Sequence, residues 1–295
     1  MGEAAALGWA ALFSLNSIFM RWGGLKVDLL WLNAFRTLIA GLLMFGILLA
    51  AGGPAGLFGL PLQTALWLGA STILTVPIGD SLFYRSCQYI GVARGLPIAN
   101  AFPLVSVVLA VLLLGEPASW RLAVGTVLIL GGAYLVARPR GAGLKANLPA
   151  DPGARRTGVL LALGAALAWG VGVVADRMAM QAQSVDLVGA ACLRLTCAAA
   201  FLFLFARRQP FRASWLNLAP AFYLGLLGAA AVCGVGAPLA WLFAIQQAGA
   251  ARAGLLAATG PLWGLLLSAV LLREPVTRAT TAGALLTVAG VWAIL

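Results

Sequence analysis

The amino-acid sequence predicts an all-α integral membrane protein with ten transmembrane helices, arranged as two inverted repeats of five helices. Two observations carry this prediction, the composition and an internal duplication. Of the 295 residues, 62% are hydrophobic and only 9% are charged, and the mean hydropathy is +1.00. Soluble domains carry about 25% charged residues. Runs of roughly 20 apolar residues span a bilayer, and only helices satisfy the backbone of such runs in lipid.

The duplication appears as the same residues recurring at a constant offset of 158 positions. The repeated pairs are Val27/Val185, Asp28/Asp186, Leu29/Leu187, Arg36/Arg194, Gln88/Gln246, Gly91/Gly249, Ala93/Ala251, Arg94/Arg252, Pro103/Pro261, Glu116/Glu274, Gly125/Gly283 and Gly132/Gly290. A constant offset over so much of the chain indicates an internal repeat. In a chain this apolar, an internal repeat is typical of a transporter.

The apolar runs predict ten helices, five on each side of one long polar segment. The predicted helices are 4–22, 29–51, 62–82, 84–114, 119–137, 157–179, 186–206, 217–247, 250–272 and 278–295. Gly91 and Gly249 mark the turns that follow the third and eighth helices. The basic, proline-containing segment 138–156 is the predicted linker between a first repeat, 1–137, and a second, 157–295. An odd number of helices per repeat places the two halves in opposite orientations.

The basic residues predict the orientation in the membrane. Loops after the odd-numbered helices hold 13 Lys and Arg residues, whereas the opposite side holds three. Basic loops face the cytoplasm, so the linker is predicted inside and both termini outside. The first apolar run is interpreted as a true span, because a matching segment opens the second half. We predict a bacterial inner membrane protein that functions as a monomer, since both halves are fused in one chain.

Several functional classes are excluded by composition. The net charge of +11 sits at the ends of apolar runs, as membrane topology requires, and does not indicate nucleic acid binding. The four cysteines have no metal-type spacing and the chain contains no histidine. A Gly-x4-Gly-Lys-Ser/Thr motif is absent, so ATP is not the direct energy source. We therefore predict no catalytic residue, no metal and no cofactor.

Asp80 is the most informative polar residue. An acidic group within a membrane segment is costly and is functional by default. Asp80, Tyr84 and Gln88 are spaced four residues apart and share one helical face. They could bind a substrate ammonium or a proton. Alternatively, Asp80 lies at the water interface or pairs with Arg85 or another arginine.

Other candidate residues are polar or aromatic groups within the predicted helices. The candidates for substrate contact are Asn16, Asn100, Trp169, Trp241, Thr259 and Trp263. Pro103 and Pro261 are predicted to lie inside helices, where each leaves a carbonyl unpaired one turn earlier, next to Asn100 and Thr259. Helix breaks of this kind mark transporter binding sites. An aromatic wall suits an apolar side chain or an ammonium group.

The remaining charged residues are predicted to be structural. Asp176 and Arg177 form an interfacial charge pair, although Trp169, Gly172 and Asp176 also share one helical stripe. Arg36 and Arg194 anchor their helices near the headgroups, or else hold a substrate carboxylate. A further prediction concerns Glu116 and Glu274, which lie beside proline at helix ends and act as caps.

These motifs resemble those of the drug/metabolite transporter superfamily, in particular its ten-helix EamA-type members. The resemblance is carried by Asn16, by the Gly91-x-Ala93-Arg94 turn, by the following Pro103, by Gly115-Glu116-Pro117 and by Trp169-Gly170. Arg273-Glu274-Pro275 departs from the family pattern at the glycine. The resemblance implies a basket of helices 1–4 and 6–9 around a central cavity, with helices 5 and 10 at the periphery.

The functional prediction is a secondary exporter of neutral or aromatic amino acids, or of similar small metabolites. The preference for amino acids follows from the resemblance, and the preference for aromatic ones from the abundance of aromatic residues. A nucleotide-sugar or sugar-phosphate exchanger on the same fold is the alternative. It requires several cavity-facing cations, whereas only Arg36, Arg85 and Arg194 lie within the predicted spans. A membrane enzyme or scaffold is disfavoured, because no cluster of catalytic groups is present.

Overall fold

A computed structural model of the protein describes residues 1–24, 26–90, 95, 98–137, 152–181, 185–208, 211, 215, 218–271 and 278–295. The described residues form ten principal helices and no strand. In the first half these are α1 (Gly2–Gly24), α2 (Leu29–Ala50), α3 (Leu62–Ile73, the π-helical Leu74–Asp80 and Ser81–Ile90), α4 (Phe102–Leu114) and α5 (Trp120–Ala137). In the second half they are α6 (Pro152–Ala179), α7 (Leu187–Ala206), α8, α9 and α10 (Arg278–Ile294). α8 consists of Pro220–Ala229, the π-helical Ala230–Val235 and the part of Gly236–Ala257 before its kink at Gly249, whereas α9 consists of the part after that kink and of Gly260–Leu271. One further helical turn, Ala55–Phe58, lies between α2 and α3.

The bounds of two helices differ from the ranges predicted from the apolar runs. α3 continues past 82 through its π-helical segment to Ile90, next to Gly91, the residue predicted to mark the turn after this helix. α6 begins at Pro152 rather than at 157, since proline is well suited to the first turn of a helix. Residues 138–151 of the predicted linker, and the predicted turn residue Gly91, lie outside the described residues.

The helices have the lengths and composition of membrane spans. Within the described ranges, six stretches are long and apolar enough to cross a bilayer: Gly2–Met20, Leu30–Ala50, Leu62–Cys87, Gly153–Ala179, Leu187–Ala206 and Pro220–Ala257. Three shorter apolar helices accompany them, Phe102–Leu114, Trp120–Val136 and Arg278–Ile294. The protein is therefore an integral membrane protein.

The duplicated Val-Asp-Leu motif is a helix start. Asp28 caps α2, accepting hydrogen bonds from the backbone N–H groups of Leu30 and Trp31 at 3.0 and 3.1 Å. Asp186 caps α7 in the same way, through the N–H groups of Val188 and Gly189 at 3.1 and 3.3 Å. Each carboxylate satisfies donors that no helical carbonyl can reach. The repeat in the sequence is thus a repeat in local structure.

The packing of α5 on α10 shows that the two halves are inverted. Gly125 faces Gly290, where a Cβ on either glycine would lie 3.0 Å from the other's carbonyl oxygen. Gly132 faces Gly283, where the corresponding distances are 2.5 and 2.7 Å. As α5 advances from 125 to 132, α10 therefore runs backwards from 290 to 283. Gly125 is the repeat equivalent of Gly283, and Gly132 is the equivalent of Gly290. Replacing each glycine by its equivalent therefore turns the Gly125–Gly290 contact into the Gly132–Gly283 contact, as a two-fold axis between the halves requires.

The other contacts between the two halves follow the same two-fold symmetry. α1 packs on α8, and its equivalent α6 packs on α3, the equivalent of α8. α2 packs on its own equivalent, α7. The predicted all-α membrane fold with two inverted five-helix repeats is confirmed.

Both third helices of the repeats change winding at corresponding positions. α3 is π-helical over Leu74–Asp80, with Pro77 inside the segment, and α8 is π-helical over Ala230–Val235. Proline removes a backbone donor, and π-helical turns occur frequently at functional sites. The helices that pack against these segments are therefore candidates for carrying a functional site.

Candidate functional site

The first polar contact of the candidate site joins α6 to the π-helical segment of α3. The indole Nε1 of Trp169 donates to Oδ1 of Asp80 and to the carbonyl oxygen of Thr75, both at 3.1 Å. The helices approach this closely because Gly79 has no side chain, and a Cβ there would lie 2.5 Å from the indole ring. Two predicted site residues, Asp80 and Trp169, are thus in direct contact.

Aromatic rings surround the indole of Trp169. Phe83 of α3 lies 5.6 Å away between ring centroids, and Phe102 at the start of α4 lies 6.2 Å away in an edge-on arrangement. An acid and an aromatic wall therefore occur side by side, a combination that suits a molecule with both a polar and an apolar part.

A second polar cluster lies further along α6. The carboxylate of Asp176 is 1% exposed and forms an ion pair with Nη1 of Arg194 from α7. The other carboxylate oxygen accepts a hydrogen bond of 2.7 Å from Nε1 of Trp241 in α8. Nη1 of Arg194 also donates to Oγ of Ser71 in α3, at 3.1 Å. We call these four residues the Asp176 cluster.

Two predictions for these charges are wrong. Asp176 and Arg177 do not form an interfacial pair, because Asp176 is buried against Arg194. Arg194 is not a headgroup anchor, since its guanidinium is committed to this buried pair. Its repeat partner Arg36 donates to Asn33 Oδ1 and Thr37 Oγ1 within α2, at 3.0 and 3.2 Å.

The two polar contacts lie along one seam between α3 and α6. Trp169 and Asp176 are seven residues apart on α6, which corresponds to about 10 Å along the helix axis. Between them lies Gly172, where a Cβ would be 3.6 Å from the carbonyl oxygen of Ser71. The stripe of Trp169, Gly172 and Asp176 noticed in the sequence is the face that α6 presents to α3.

The fourth and ninth helices are interrupted at corresponding places. A turn at 100–101 precedes α4, and a turn at 258–259 divides α9. Pro103 and Pro261, which the sequence analysis associates with helix breaks, directly follow these turns. Each proline is the second residue of the segment after the break. At that position the missing proline N–H costs nothing, since it has no helical partner.

The polar residues at these breaks differ in their surroundings. Asn100 is half-buried in the turn before α4. Thr259 is 1% exposed, and its hydroxyl donates to the carbonyl of Leu256, 2.7 Å away in the preceding turn. The hydroxyl of Thr259 is thus satisfied within its own helix, whereas Asn100 retains exposed surface.

Two further candidates contain buried polar atoms without a partner among the described residues. These are Oδ1 of Asn16 in α1 and Nε1 of Trp263 in α9. The helices that carry them are in contact, and Ser14 Oγ donates to the carbonyl of Gly260 at 2.8 Å. An acceptor and a donor left unpaired inside a membrane protein are costly, so they are candidates for contact with a ligand.

The other predicted site residues lie on α8 and α3. Trp241 is 6% exposed, and its ring lies 4.8 Å from that of Trp9 in a tilted arrangement. It belongs to the Asp176 cluster rather than to the surroundings of Asp80. Tyr84 and Gln88 lie in the last helical part of α3, and their side chains are outside what the structure describes.

Gly249 forms the turn between α8 and α9. Its φ of 82° lies in the left-handed region that favours glycine, and a Cβ would lie 2.7 Å from Glu116. Glu116 accepts from the N–H groups of Ala250 at 2.7 Å and Ala251 at 2.9 Å. As predicted, Glu116 caps a helix end, but the capped helix is α9 of the other half.

Arg177 also contacts the turn between α8 and α9. Its Nη1 donates to the carbonyls of Ile245 and Gln246 at the end of α8, both at 3.0 Å, and its Nε lies 3.5 Å from Glu116. Arg177 thus binds the carbonyl end of one helix while Glu116 binds the amide end of the next. Each charge complements the helix dipole that it faces.

The sequence prediction missed Ser71 and Thr75 and the joint role of Asp176 and Arg194. A signal for the first two was present, because Ser71, Thr75 and Gly79 are spaced by four residues and share a helical face. The partners of Asp176 come from three other helices, and no spacing in the sequence encodes that meeting.

A helical bundle of two inverted halves, with broken helices and charged groups between the halves, defines a membrane transporter of the inverted-repeat class. The sequence matches the EamA-like transporter family over residues 1–138 and 156–295, and the chain belongs to this family. This confirms the predicted relationship to the drug/metabolite transporters.

Similarity to individual proteins agrees with this assignment. The chain is 28% identical over 174 residues to an uncharacterized transporter of Archaeoglobus fulgidus, a match that covers 59% of this chain and 56% of that protein. The matched part is thus little more than half of that relative's length. One crystal structure, whose title does not say what the protein is, is similar to this chain with a TM-score of 0.75. The match covers 99% of this chain and 94% of the other chain, and the two sequences are 20% identical. That likeness shows the fold alone.

Proposed function

We propose that this protein is a secondary transporter that exports neutral or aromatic amino acids, or similar small metabolites, by alternating access. The observation that carries the proposal is the meeting of the two inverted halves along a seam of polar and aromatic side chains. Trp169 of the second half bonds to Asp80 of the first, and Arg194 of the second half bonds to Ser71 of the first.

Alternating access follows from the symmetry of the fold. Two inverted halves can exchange their conformations, and this exchange turns a path open on one side into a path open on the other. One of the helix contacts between the halves, that of α5 with α10, is made by glycines, whose small size lets these helices pack closely. The breaks in α4 and α9 supply places at which a helix can bend without losing an internal hydrogen bond.

The substrate class follows from the chemistry of the seam. Asp80 can accept an ammonium group, and the rings of Trp169, Phe83 and Phe102 can contact an apolar side chain or a cation. Outside that seam, on α1 and α9, the unpaired Oδ1 of Asn16 and Nε1 of Trp263 offer one further acceptor and one further donor. An α-amino acid with an apolar side chain carries all of the complementary groups.

The orientation and location remain as the sequence predicts them. Basic residues concentrate on the linker side, which places that side in the cytoplasm and both termini outside a bacterial inner membrane. Substrate would then move from the linker side to the terminal side. A single chain contains both halves, so a monomer suffices.

The experiment is uptake of labelled L-leucine or L-tryptophan by proteoliposomes that contain the purified protein and are loaded with the same amino acid without label. Counterflow that depends on the protein and is competed by unlabelled amino acids supports the proposal. Exchange of a nucleotide sugar or a sugar phosphate, with no amino-acid counterflow, would replace it with the alternative function. Cysteine labelling from one side of sealed vesicles, at positions introduced next to Met1, checks the orientation.

A further inference from the structure

We propose that Arg194 binds the carboxylate of the transported molecule, through the edge of its guanidinium that Asp176 and Ser71 leave open. This inference rests on the proposed function and adds to it the residue that recognises the acidic end of the substrate. Asp176 and Trp241 are positioning residues in this proposal.

The hydrogen bonds of Arg194 are all on one corner of the guanidinium. Nη1 contacts both Asp176 and Ser71, whereas Nη2 and Nε have no acceptor among the described residues. A guanidinium presents five N–H donors in a planar fork. The unused edge is the geometry that binds a carboxylate through two parallel hydrogen bonds.

The exposure of the pair shows which charge an incoming molecule can reach. The Arg194 side chain is 16% exposed, whereas the Asp176 side chain is 1% exposed. Both carboxylate oxygens of Asp176 are already occupied, one by Arg194 and one by Trp241. A ligand therefore meets the cation of this pair rather than the anion, and the ligand group that binds there is an acid.

Asp176 fixes the arginine for this task. A lone guanidinium in a membrane is costly, and a buried acidic partner compensates its charge. Trp241 and Ser71 then restrict the directions in which the pair can turn. Because the pair is neutral overall, a singly charged carboxylate suits the site better than a phosphate with two negative charges.

The position of Asp80 limits what else the same molecule can contact. Asp80 binds Trp169, which lies about 10 Å from Asp176 along α6. In an α-amino acid the ammonium and the carboxylate are attached to the same carbon. In this proposal the carboxylate of the substrate binds at Arg194, and Asp80, at the other end of the seam, is left for a proton or for a later position of the substrate on its path.

The test compares the binding of an acid with that of its amide. Purified full-length protein in detergent is titrated with L-leucine and L-tryptophan and with their carboxamides, and also with lactate and benzoate, which lack an ammonium group. The wild-type protein should prefer each acid over its amide by on the order of 10- to 100-fold, the factor for a charge-assisted hydrogen bond. Arg194→Lys, which retains the charge but not the fork, should reduce this preference.

The single variant Arg194→Gln leaves Asp176 buried and uncompensated, and a failure to fold would hide the result. The double variant Asp176→Asn/Arg194→Gln removes both charges and retains groups able to hydrogen-bond. It should bind acid and amide equally. Arg252→Gln removes an exposed arginine that pairs with Glu3 at 3.5 Å, and it should keep the wild-type preference.

The outcomes separate this inference from the proposed function. A folded double variant with the wild-type preference for acids would overturn the inference while leaving amino-acid transport intact. Binding of lactate or benzoate through Arg194, without binding of any amino acid, would overturn the proposed substrate and support the inference. Binding of none of these acids by the wild-type protein would overturn both.

Discussion

The indole of Trp169 donates a hydrogen bond of 3.1 Å to Asp80, and this bond joins the second half of the chain to the first. The bond comes from a neutral donor. The other acid of the seam, Asp176, is instead paired with the guanidinium of Arg194. The two acids are therefore held by different chemistry, and their substitution should have different consequences.

Asp80→Asn should lower transport without unfolding the protein. Asparagine keeps the oxygen that accepts from Trp169, so the contact between the halves survives. An acid within the membrane costs roughly 2.5–3.5 kcal/mol on insertion scales, which indicates that the carboxylate has a task. Counterflow in proteoliposomes between pH 5 and pH 9 measures the effect, with thermal unfolding as the folding control.

The pH profile distinguishes two roles for Asp80. If its carboxylate binds a substrate ammonium, the variant loses affinity at every pH. If it carries a proton, the variant loses the pH dependence of transport and still exchanges substrate. Wild-type rates together with a wild-type pH response would show that Asp80 is only a hydrated charge.

Breaking the Asp176–Arg194 pair should destabilise the protein more than removing it. Asp176→Asn and Arg194→Gln each leave one buried charge uncompensated, which costs about 3–5 kcal/mol in other proteins. The double variant leaves no charge, so its unfolding temperature in detergent should exceed that of either single variant. Strictly additive losses of stability would contradict a direct coupling between these two residues.

Gly132→Ala should weaken the packing of α5 on α10. The added Cβ would lie 2.5 Å from the carbonyl oxygen of Gly283, and such overpacking typically costs about 1–3 kcal/mol. The matched control is the neighbouring Gly131→Ala, where nothing lies within 4 Å of the added Cβ. Thermal unfolding of both variants in the same detergent measures the difference, and equal unfolding temperatures would argue against this contact.

Gly249→Ala should destabilise the turn between α8 and α9. Alanine at a φ of 82° costs roughly 1–2 kcal/mol, and its Cβ would also lie 2.7 Å from Glu116. Gly264→Ala in α9 serves as the control, because its Cβ meets nothing within 4 Å. Protease sensitivity of the turn, followed in both variants, reports the local loosening, and an unchanged cleavage rate for Gly249→Ala would count against the strain.

The fold was predictable because hydrophobicity and repetition are properties of the linear chain. Apolar runs predicted the spans, the constant offset predicted the repeat, and the odd number of helices in each repeat predicted the inversion of the halves. The structure adds that the repeated aspartates Asp28 and Asp186 both cap helices. The π-helical segment of α3 around Pro77 was not predicted, because the hydrogen bonds that define it leave no pattern in the linear sequence.

The candidate site was only partly predictable. Asp80 and Trp169 were identified one by one, as an acid and an aromatic ring within apolar runs, and the sequence by itself determined that such groups had to face protein rather than lipid. Only the tertiary structure decided which charge meets which. Asp176 pairs with Arg194 instead of Arg177, and Glu116 caps a helix of the other half, because the rotation of each helix about its axis is set by packing against its neighbours.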